Sequence, residues 1–228
     1  MFKDLKIQGT SFGSPELSTD SNQSVAILLS FIDKAIPDFR KYYLLVNDKN
    51  HENLVSFHIV NFFNARLQDT TQGYSPYRFS FVKNPPQAET TKETDIGIVT
   101  LNSSVPSSTF FEIEAKRFSS SSNNKEYVVG KRGGIERFKR CEHGKHLNTA
   151  GMFGYIEEKE YFNCHDRINE WITELTQNNT DSTIDWSSEN EKLISINELS
   201  NASKWKSLNS RIDNSSITLF HYFLNLVN

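Results

Sequence analysis

Three residues of the chain could together perform metal-dependent chemistry. Asp95 stands at the beginning of a β-rich segment, residues 94–101, and Glu114 and Lys116 lie in the next such segment, residues 109–118. Residues two apart in a strand point to the same face, so Glu114 and Lys116 share one side. Paired strands lie about 5 Å apart, which would bring the carboxylates of Asp95 and Glu114 to one small cation. The spacing therefore predicts a divalent-metal site with an ammonium group beside it.

A strand with a solvated charged face is the simpler interpretation of the second segment. Phe111, Ile113 and Ala115 would be buried, and the alternate charged residues would face water. Acidic-x-Lys triplets are short, and the chain contains three, which begin at Asp4, Glu114 and Glu157. The middle triplet differs because it follows a short strand that carries Asp95, within a predicted arrangement of helix, three-stranded meander and helix.

At these residues the chain resembles the PD-(D/E)xK nuclease superfamily. The pattern of that family is an acidic residue at the end of one strand and an acidic-x-Lys on the next. Asp95 matches the first part, and Glu114 with Lys116 matches the second. Thr94 stands at the position of the proline that gives the family its name. The resemblance implies an α/β fold of the restriction-endonuclease-like type, which is a mixed β-sheet flanked by helices.

The resemblance also implies an activity. It implies an endonuclease that hydrolyses DNA phosphodiester bonds with Mg²⁺, for which Mn²⁺ substitutes, while RNA stays open as a substrate. A role in prokaryotic restriction or anti-phage defence, an ATPase or sensor partner protein and a homodimer are further expectations from the family. The alternative is a catalytically inactive module of the same fold that binds nucleic acid or a protein.

Each residue of the motif receives an expected role from the resemblance. Asp95 and Glu114 would bind the metal, because Mg²⁺ prefers oxygen ligands. Lys116 would position or deprotonate the attacking water and offset the developing negative charge. Glu52, in the first turn of the helix before the meander, matches an acidic residue that the family often adds. It would hold a second metal ion or a water network.

A basic segment follows the acidic-x-Lys strand. Residues 125–145 contain seven bases against three acids, whereas residues 157–198 contain eleven acids against three bases. The net charge of -3 hides this division, and nucleic-acid binding requires such a local basic patch. The predicted nucleic-acid contacts are Lys131, Arg132, Arg137, Lys139 and Arg140. A position of His143 or His146 near the phosphate is a further option.

Hydrophobic periodicity and turn residues divide the chain into elements. Residues 1–23 are predicted as a poorly ordered lead and residues 24–228 as a single domain. Apolar periodicity predicts helices over residues 24–36, 50–67, 135–141 and 161–177, and the first of these ends before Pro37. Strands are predicted over residues 77–83, 94–101, 109–118 and 151–157, and residues 217–227 are a closing strand or a short helix.

Composition limits the compartment and the partners. The chain has two cysteines, which are too few for a disulfide framework, so a cytoplasmic location is expected. The first residues show no signal-peptide pattern, and no stretch reaches the roughly 18 apolar residues of a membrane span. We therefore expect no membrane association.

Overall fold

One seven-stranded mixed β-sheet forms the centre of the computed structural model, which describes residues 21–46, 52–69, 78–85, 93–101, 109–130, 132–179, 181–187 and 189–227. The strands are β1 (Phe79–Lys83), β2 (Ile96–Thr100), β3 (Phe111–Phe118), β4 (Thr149–Ile156), β5 (Ile194–Leu199), β6 (Ala202–Ser210) and β7 (Ser216–Asn225). Their order across the sheet is β1, β2, β3, β4, β7, β6, β5. Strand β4 pairs parallel with both β3 and β7, and the other neighbours are antiparallel.

Helices cover both faces of this sheet, and they are α1 (Ser21–Leu44), α2 (Glu52–Gln68), α3 (Gly134–Lys139) and α4 (Cys164–Asn178). Phe153 and Tyr155 of β4 join an apolar core shared with α1 and α2, whereas Met152 and Ile156 join a second core shared with α3 and α4. Since alternate residues of a strand face opposite sides, the two cores lie on opposite faces. The predicted α/β class, with a mixed sheet flanked by helices, is confirmed.

The first three strands form the predicted antiparallel meander, and its register positions the candidate site. Ile96 of β2 lies opposite Ile113 of β3. One residue further along, this register sets Asp95 opposite Glu114, and directly opposed residues project to the same face of a sheet. Because Ile113 packs into the core of α1 and α2, Glu114 projects toward α3.

Helix α1 continues through Pro37 to Leu44, so the predicted break before that residue is wrong. Proline removes a main-chain N–H and disfavours a helix interior, which is why it indicated a break. Beyond it, Phe39 and Tyr43 keep the helical spacing and are buried in the core. Burying one large apolar side chain contributes roughly 1.5–3 kcal/mol, so the two rings together offset the local cost of the proline.

The sheet beyond β4 follows the sequence pattern only in part. Residues 217–227 lie largely in β7, so they form a strand and not a helix, but β7 lies between β4 and β6 instead of closing the sheet. The edge strand β5 has no counterpart among the predicted elements, and its side chains are almost all exposed. Its sequence does alternate, with Ile194 and Ile196 next to Ser195 and Asn197, but sequence reasoning does not recognise this short run as a strand.

The start of α1 overlaps the predicted lead. Residues 21–23 belong to the helix, and residues 1–20 lie outside the described residues. Among the helices that the structure describes, none is long and apolar enough to cross a membrane.

Candidate active site

The two predicted acidic residues meet where strands β2 and β3 pair. Asp95 lies directly before β2, and its Oδ2 accepts a hydrogen bond from the main-chain N–H of Ala115 at 2.7 Å. Glu114, the preceding residue of β3, is 2% exposed. The register sets the two carboxylates on the same face, and the charge of Glu114 acts on the ionisation of Asp95. The two acids therefore lie near enough for the charge of Glu114 to add to the effect of burial on the pKa of Asp95.

Lys116 and Glu52 complete this group. Lys116 Nζ lies 2.8 Å from Glu114 Oε1 and 3.9 Å from Glu52 Oε1. Glu52 is the first residue of α2, and its Oε2 accepts a hydrogen bond from the main-chain N–H of Arg117 at 2.9 Å. The structure thus brings together all four residues that the sequence selects as the catalytic group.

Two further residues contact Glu114. Arg137 Nη1 lies 3.0 Å from Glu114 Oε1, the same oxygen that contacts Lys116. His143 Nε2 lies 3.4 Å from Glu114 Oε2 and 3.2 Å from Arg137 Nη1. Arg137 belongs to α3 and His143 to the turn after it, and α3 packs over β3. Burial, followed by the charge of Arg137, lowers the pKa of His143 to about 4, so the two cationic partners of Glu114 are Lys116 and Arg137, both on Oε1.

The ionisation of the site follows from burial and from its three carboxylates. Burial, followed by the charge of Glu114, raises the pKa of Asp95 from 3.8 to about 7. Burial also raises the pKa of Glu52. For Lys116, burial lowers the pKa, but the neighbouring carboxylates outweigh this effect and the pKa lies above its ordinary value. Lys116 is therefore an ammonium that partly offsets the negative charge of the site.

The oxygen atoms of this site suit a hard divalent cation. Proteins usually hold Mg²⁺ by one or two carboxylates while it keeps several waters, and Asp95 with Glu114 supply two carboxylates. A cation between them would relieve the repulsion that raises the pKa of Asp95. Within the described ranges, no three His, Cys, Asp or Glu residues form a group that could hold a metal ion, so Glu52 is not grouped with the other two as a third ligand.

A cavity of about 380 Å³ adjoins Lys116. Glu52, Lys116, Ser122, Asn123 and Arg132 are among its lining residues. The serine-rich segment directly after β3 forms a turn at this cavity and then a short 3₁₀ helix, Asn124–Tyr127. Glu52 and Lys116 of the site line the cavity, whereas Asp95 and Glu114 do not, and the lining mixes hydroxyl, amide and guanidinium groups that can bind a phosphate.

The predicted nucleic-acid contacts have different surroundings. Arg132 is exposed at the cavity and has no ion pair in the part of the chain that the structure describes. Arg137 is directed to Glu114 instead of solvent, with its side chain 18% exposed. Arg140 Nη2 lies 2.5 Å from Asp181 Oδ2. Lys131 lies outside the described residues.

Lys139 does not occupy the solvated helix face that its predicted contact with nucleic acid requires. Its side chain is 0% exposed and paired with Glu191, and its Nζ lies 4.6 Å from the centre of the Trp186 ring. An ammonium without exposed surface cannot reach a phosphate backbone, so this predicted contact is wrong. The physical reason is the carboxylate of Glu191, which lets the lysine be buried as an ion pair.

The basic and acidic segments also pair elsewhere. Lys125 Nζ lies 3.0 Å from Glu174 Oε2, and Arg140 binds Asp181, so acids of residues 157–198 neutralise bases of residues 125–145. The local excess of positive charge that the sequence indicates is therefore partly cancelled inside the molecule. Arg132 is the exposed base that the cavity retains.

Sequence reasoning misses the contact of His143 with Glu114 and the position of Ser122 and Asn123 at the cavity. The serine-rich run directly after the acidic-x-Lys strand was the available indication for the cavity residues, because a segment that follows a strand end lies near the last side chains of that strand. No local pattern indicates that His143 folds back onto β3.

Comparison with known proteins finds no matching family model, no matching curated protein and no matching solved structure. The functional argument therefore depends on the residues of this chain and their geometry.

Proposed function

We propose that the protein is a Mg²⁺-dependent endonuclease of the PD-(D/E)xK type that hydrolyses DNA phosphodiester bonds. The observation that supports this proposal best is the convergence of Asp95, Glu114 and Lys116 at the junction of β2 and β3. Two acids that repel each other, next to a lysine and an open cavity, are a costly arrangement in a stable fold. A cation bound between the two acids would offset this cost, which supports a metal-binding role for them.

Asp95 and Glu114 would hold the metal ion, and Mn²⁺ would substitute for it. When bound there, Mg²⁺ supplies acidification of a water and neutralisation of charge on the phosphate. Glu52 would orient water beside Lys116, since its Oε1 is 3.9 Å from Lys116 Nζ and its Oε2 is held by the main chain of Arg117. The carboxylate is thus fixed in position without a metal.

Lys116 would stabilise negative charge on the phosphate oxygens. Its raised pKa favours the protonated form, which supports this electrostatic role over that of a general base in the metal-free protein. Its ammonium lies between Glu114 and Glu52 at the wall of the cavity. A phosphate that enters the cavity would meet Lys116 and Arg132 together.

A restriction-endonuclease-like fold, a DNA substrate with RNA open, and a role in restriction or anti-phage defence belong to the same proposal. They rest on the resemblance at Asp95, Glu114 and Lys116. Cutting both strands of a duplex usually requires two active sites, which favours a homodimer or an ATPase or sensor partner protein.

A second candidate is a nucleic-acid or protein-binding module of the same fold without catalysis. One observation favours it: Lys116 and Arg137 already contact Oε1 of Glu114, so the charge of the buried carboxylate is neutralised by the protein's own side chains. A structural ion-pair network would have this arrangement too.

Plasmid cleavage distinguishes the two candidates. Wild type should nick or linearise plasmid with Mg²⁺ or Mn²⁺ and not with EDTA, and Asp95→Ala and Lys116→Ala should lose cleavage by at least about 100-fold. Lys41→Ala is the control, because Lys41 is exposed on α1 and forms its ion pair with Asp38, away from the site. DNA binding without wild-type cleavage in any divalent ion would support the binding module and refute the nuclease.

A further inference from the structure

Glu114 binds two cationic side chains of the protein through one of its oxygens. Lys116 Nζ and Arg137 Nη1 share its Oε1, at 2.8 and 3.0 Å, and His143 Nε2 faces its Oε2 at 3.4 Å. The carboxylate is 2% exposed, so protein groups and not water satisfy it. A metal ion that binds Oε1 of Glu114 must therefore displace Lys116 or Arg137.

We propose that Arg137 is a positioning residue that acts as an exchangeable counter-ion: it holds Glu114 in the metal-free protein and releases it when a divalent ion binds. The released guanidinium then lies beside the metal site, where it can take an oxygen of the substrate phosphate. This inference rests on the proposed nuclease function and adds the step that opens the site.

The geometry favours Arg137 over Lys116 as the group that moves. Lys116 is attached to the same strand two residues from Glu114 and also faces Glu52, so its ammonium has a second acidic partner without moving. Arg137 comes from the separate helix α3, six residues long. Its release changes one side chain and leaves the register of β3 intact.

The hydrogen bonding of Arg137 is also incomplete. Its Nε is buried and finds no hydrogen-bond partner among the residues that the structure describes, and Nη1 divides its contacts between Glu114 and His143. A guanidinium presents five donors in a fixed plane, and a phosphate group can accept two of them side by side. Arg137 therefore has unused capacity that a phosphate would fill, whereas Glu114 alone leaves its Nε unpaired.

An exchangeable counter-ion has two opposite effects when it is removed. Without metal, Glu114 loses a charged partner in a buried position, so the fold should become less stable. With metal, the competitor for the carboxylate is gone, so the ion should bind more tightly. If Arg137 had only a structural role, its removal would also destabilise the fold. Metal affinity would then stay unchanged, or fall because Glu114 is disturbed.

The test measures Mn²⁺ affinity by electron paramagnetic resonance of free Mn²⁺ for wild type, Arg137→Gln and Arg140→Gln. Arg140 directly follows the last residue of the same helix and pairs with Glu136 and Asp181, so its substitution removes the same charge away from Glu114. We expect Arg137→Gln to bind Mn²⁺ about tenfold more tightly, because one charge-assisted bond no longer has to be broken. Arg140→Gln should bind like wild type. Equal or weaker binding by Arg137→Gln, or equal tightening by Arg140→Gln, overturns the inference.

A melting experiment covers the case in which Arg137→Gln folds poorly. If Mn²⁺ replaces the missing counter-ion, the ion should raise the melting temperature of Arg137→Gln more than that of wild type. An equal or smaller gain refutes the exchange. If wild type neither binds Mn²⁺ nor cleaves DNA, the proposed nuclease function is refuted. If wild type does both and Arg137→Gln binds Mn²⁺ no more tightly, only the role of Arg137 is refuted.

Discussion

The main-chain N–H of Ala115 donates to Oδ2 of Asp95 at 2.7 Å, and this bond fixes an acid of one strand against the motif of the next. The bond favours the charged form of Asp95, yet burial and the charge of Glu114 outweigh it and raise the pKa to about 7. The native protein therefore holds a carboxylate whose ionisation costs free energy even with the cations of Lys116 and Arg137 nearby.

Asp95→Asn should stabilise the metal-free protein at high pH. A pKa that folding raises from 3.8 to about 7 favours the native state below pH 4, and that benefit is lost as the pH rises to about 7. The amide of asparagine does not ionise, so the variant avoids this loss of stability at high pH. At pH 8 in EDTA we expect its free energy of unfolding to exceed that of wild type by about 1–3 kcal/mol, and we expect cleavage to be lost. Urea denaturation measures the gain. Asp213→Asn is the control, because hydrogen bonds from Ser215 lower the pKa of Asp213 and its replacement should bring no stabilisation.

Two substitutions of Glu52 separate the effect of its charge on cleavage from the effect of its hydrogen bond on stability. Glu52→Gln keeps an oxygen that can accept from the N–H of Arg117, so the fold should stay close to wild type in stability while cleavage falls. Glu52→Ala also loses the bond between α2 and β3 and should cost about 1 kcal/mol more. Thermal melting and plasmid cleavage are measured on both variants. Equal cleavage by Glu52→Gln and wild type would remove Glu52 from the catalytic group.

His221 should make stability depend on pH in the opposite direction. It is fully buried between Tyr127 and Ser207, both within 2.9 Å, and burial lowers its pKa from 6.5 to about 3. The unfolded chain binds this proton and the native state does not, so stability falls as the pH drops from 6.5 toward 3. The destabilisation by His221→Gln should therefore be about 2–3 kcal/mol smaller at pH 4.5 than at pH 7. Urea denaturation at the two pH values checks this, and a constant difference would contradict it.

The buried pair of Lys139 and Glu191 should affect folding and not DNA binding. Glu191→Ala leaves an unpaired ammonium in the interior and should cost about 3–5 kcal/mol. The double variant Lys139→Met with Glu191→Leu removes both charges and should be much less destabilised than Glu191→Ala. Denaturant titration of both variants tests the order, and the DNA affinity of the double variant should equal that of wild type at every salt concentration.

Arg132→Gln should weaken DNA binding without affecting the stability of the fold. The residue is exposed at the cavity, so we expect unchanged stability with weaker DNA binding. The slope of log affinity against log salt should become smaller by about one, because one fewer phosphate is neutralised. Fluorescence anisotropy across a salt series measures this slope, and an unchanged slope would show that Arg132 makes no phosphate contact.

The candidate site could be predicted from sequence largely because its parts are local. Asp95, Glu114 and Lys116 lie on consecutive antiparallel strands, so spacing and alternation place them together, and Glu52 begins the helix before the meander. Contacts across the fold are different. Arg137 looks like one more base of a charged helix, and only the packing of α3 on β3 directs it to Glu114.

The other differences have the same origin. Helix α1 continues past Pro37 because Phe39 and Tyr43 are buried in the core. Lys139 is buried because it pairs with Glu191, which is far from it in sequence. Local propensity describes the free energy of a short segment. In these places the free energy of tertiary packing exceeds it.

Strand β7 lies between β4 and β6, so Ser216–Asn225 joins the two halves of the sheet. During synthesis, a ribosome makes the meander, α3 and β4 well before this central strand, and the edge of β4 has no partner until β7 emerges. The nascent chain can therefore not complete the β-sheet before β7 has been synthesised. Under the proposed function, a cell would meet the competent nuclease only after residue 225 has left the ribosome.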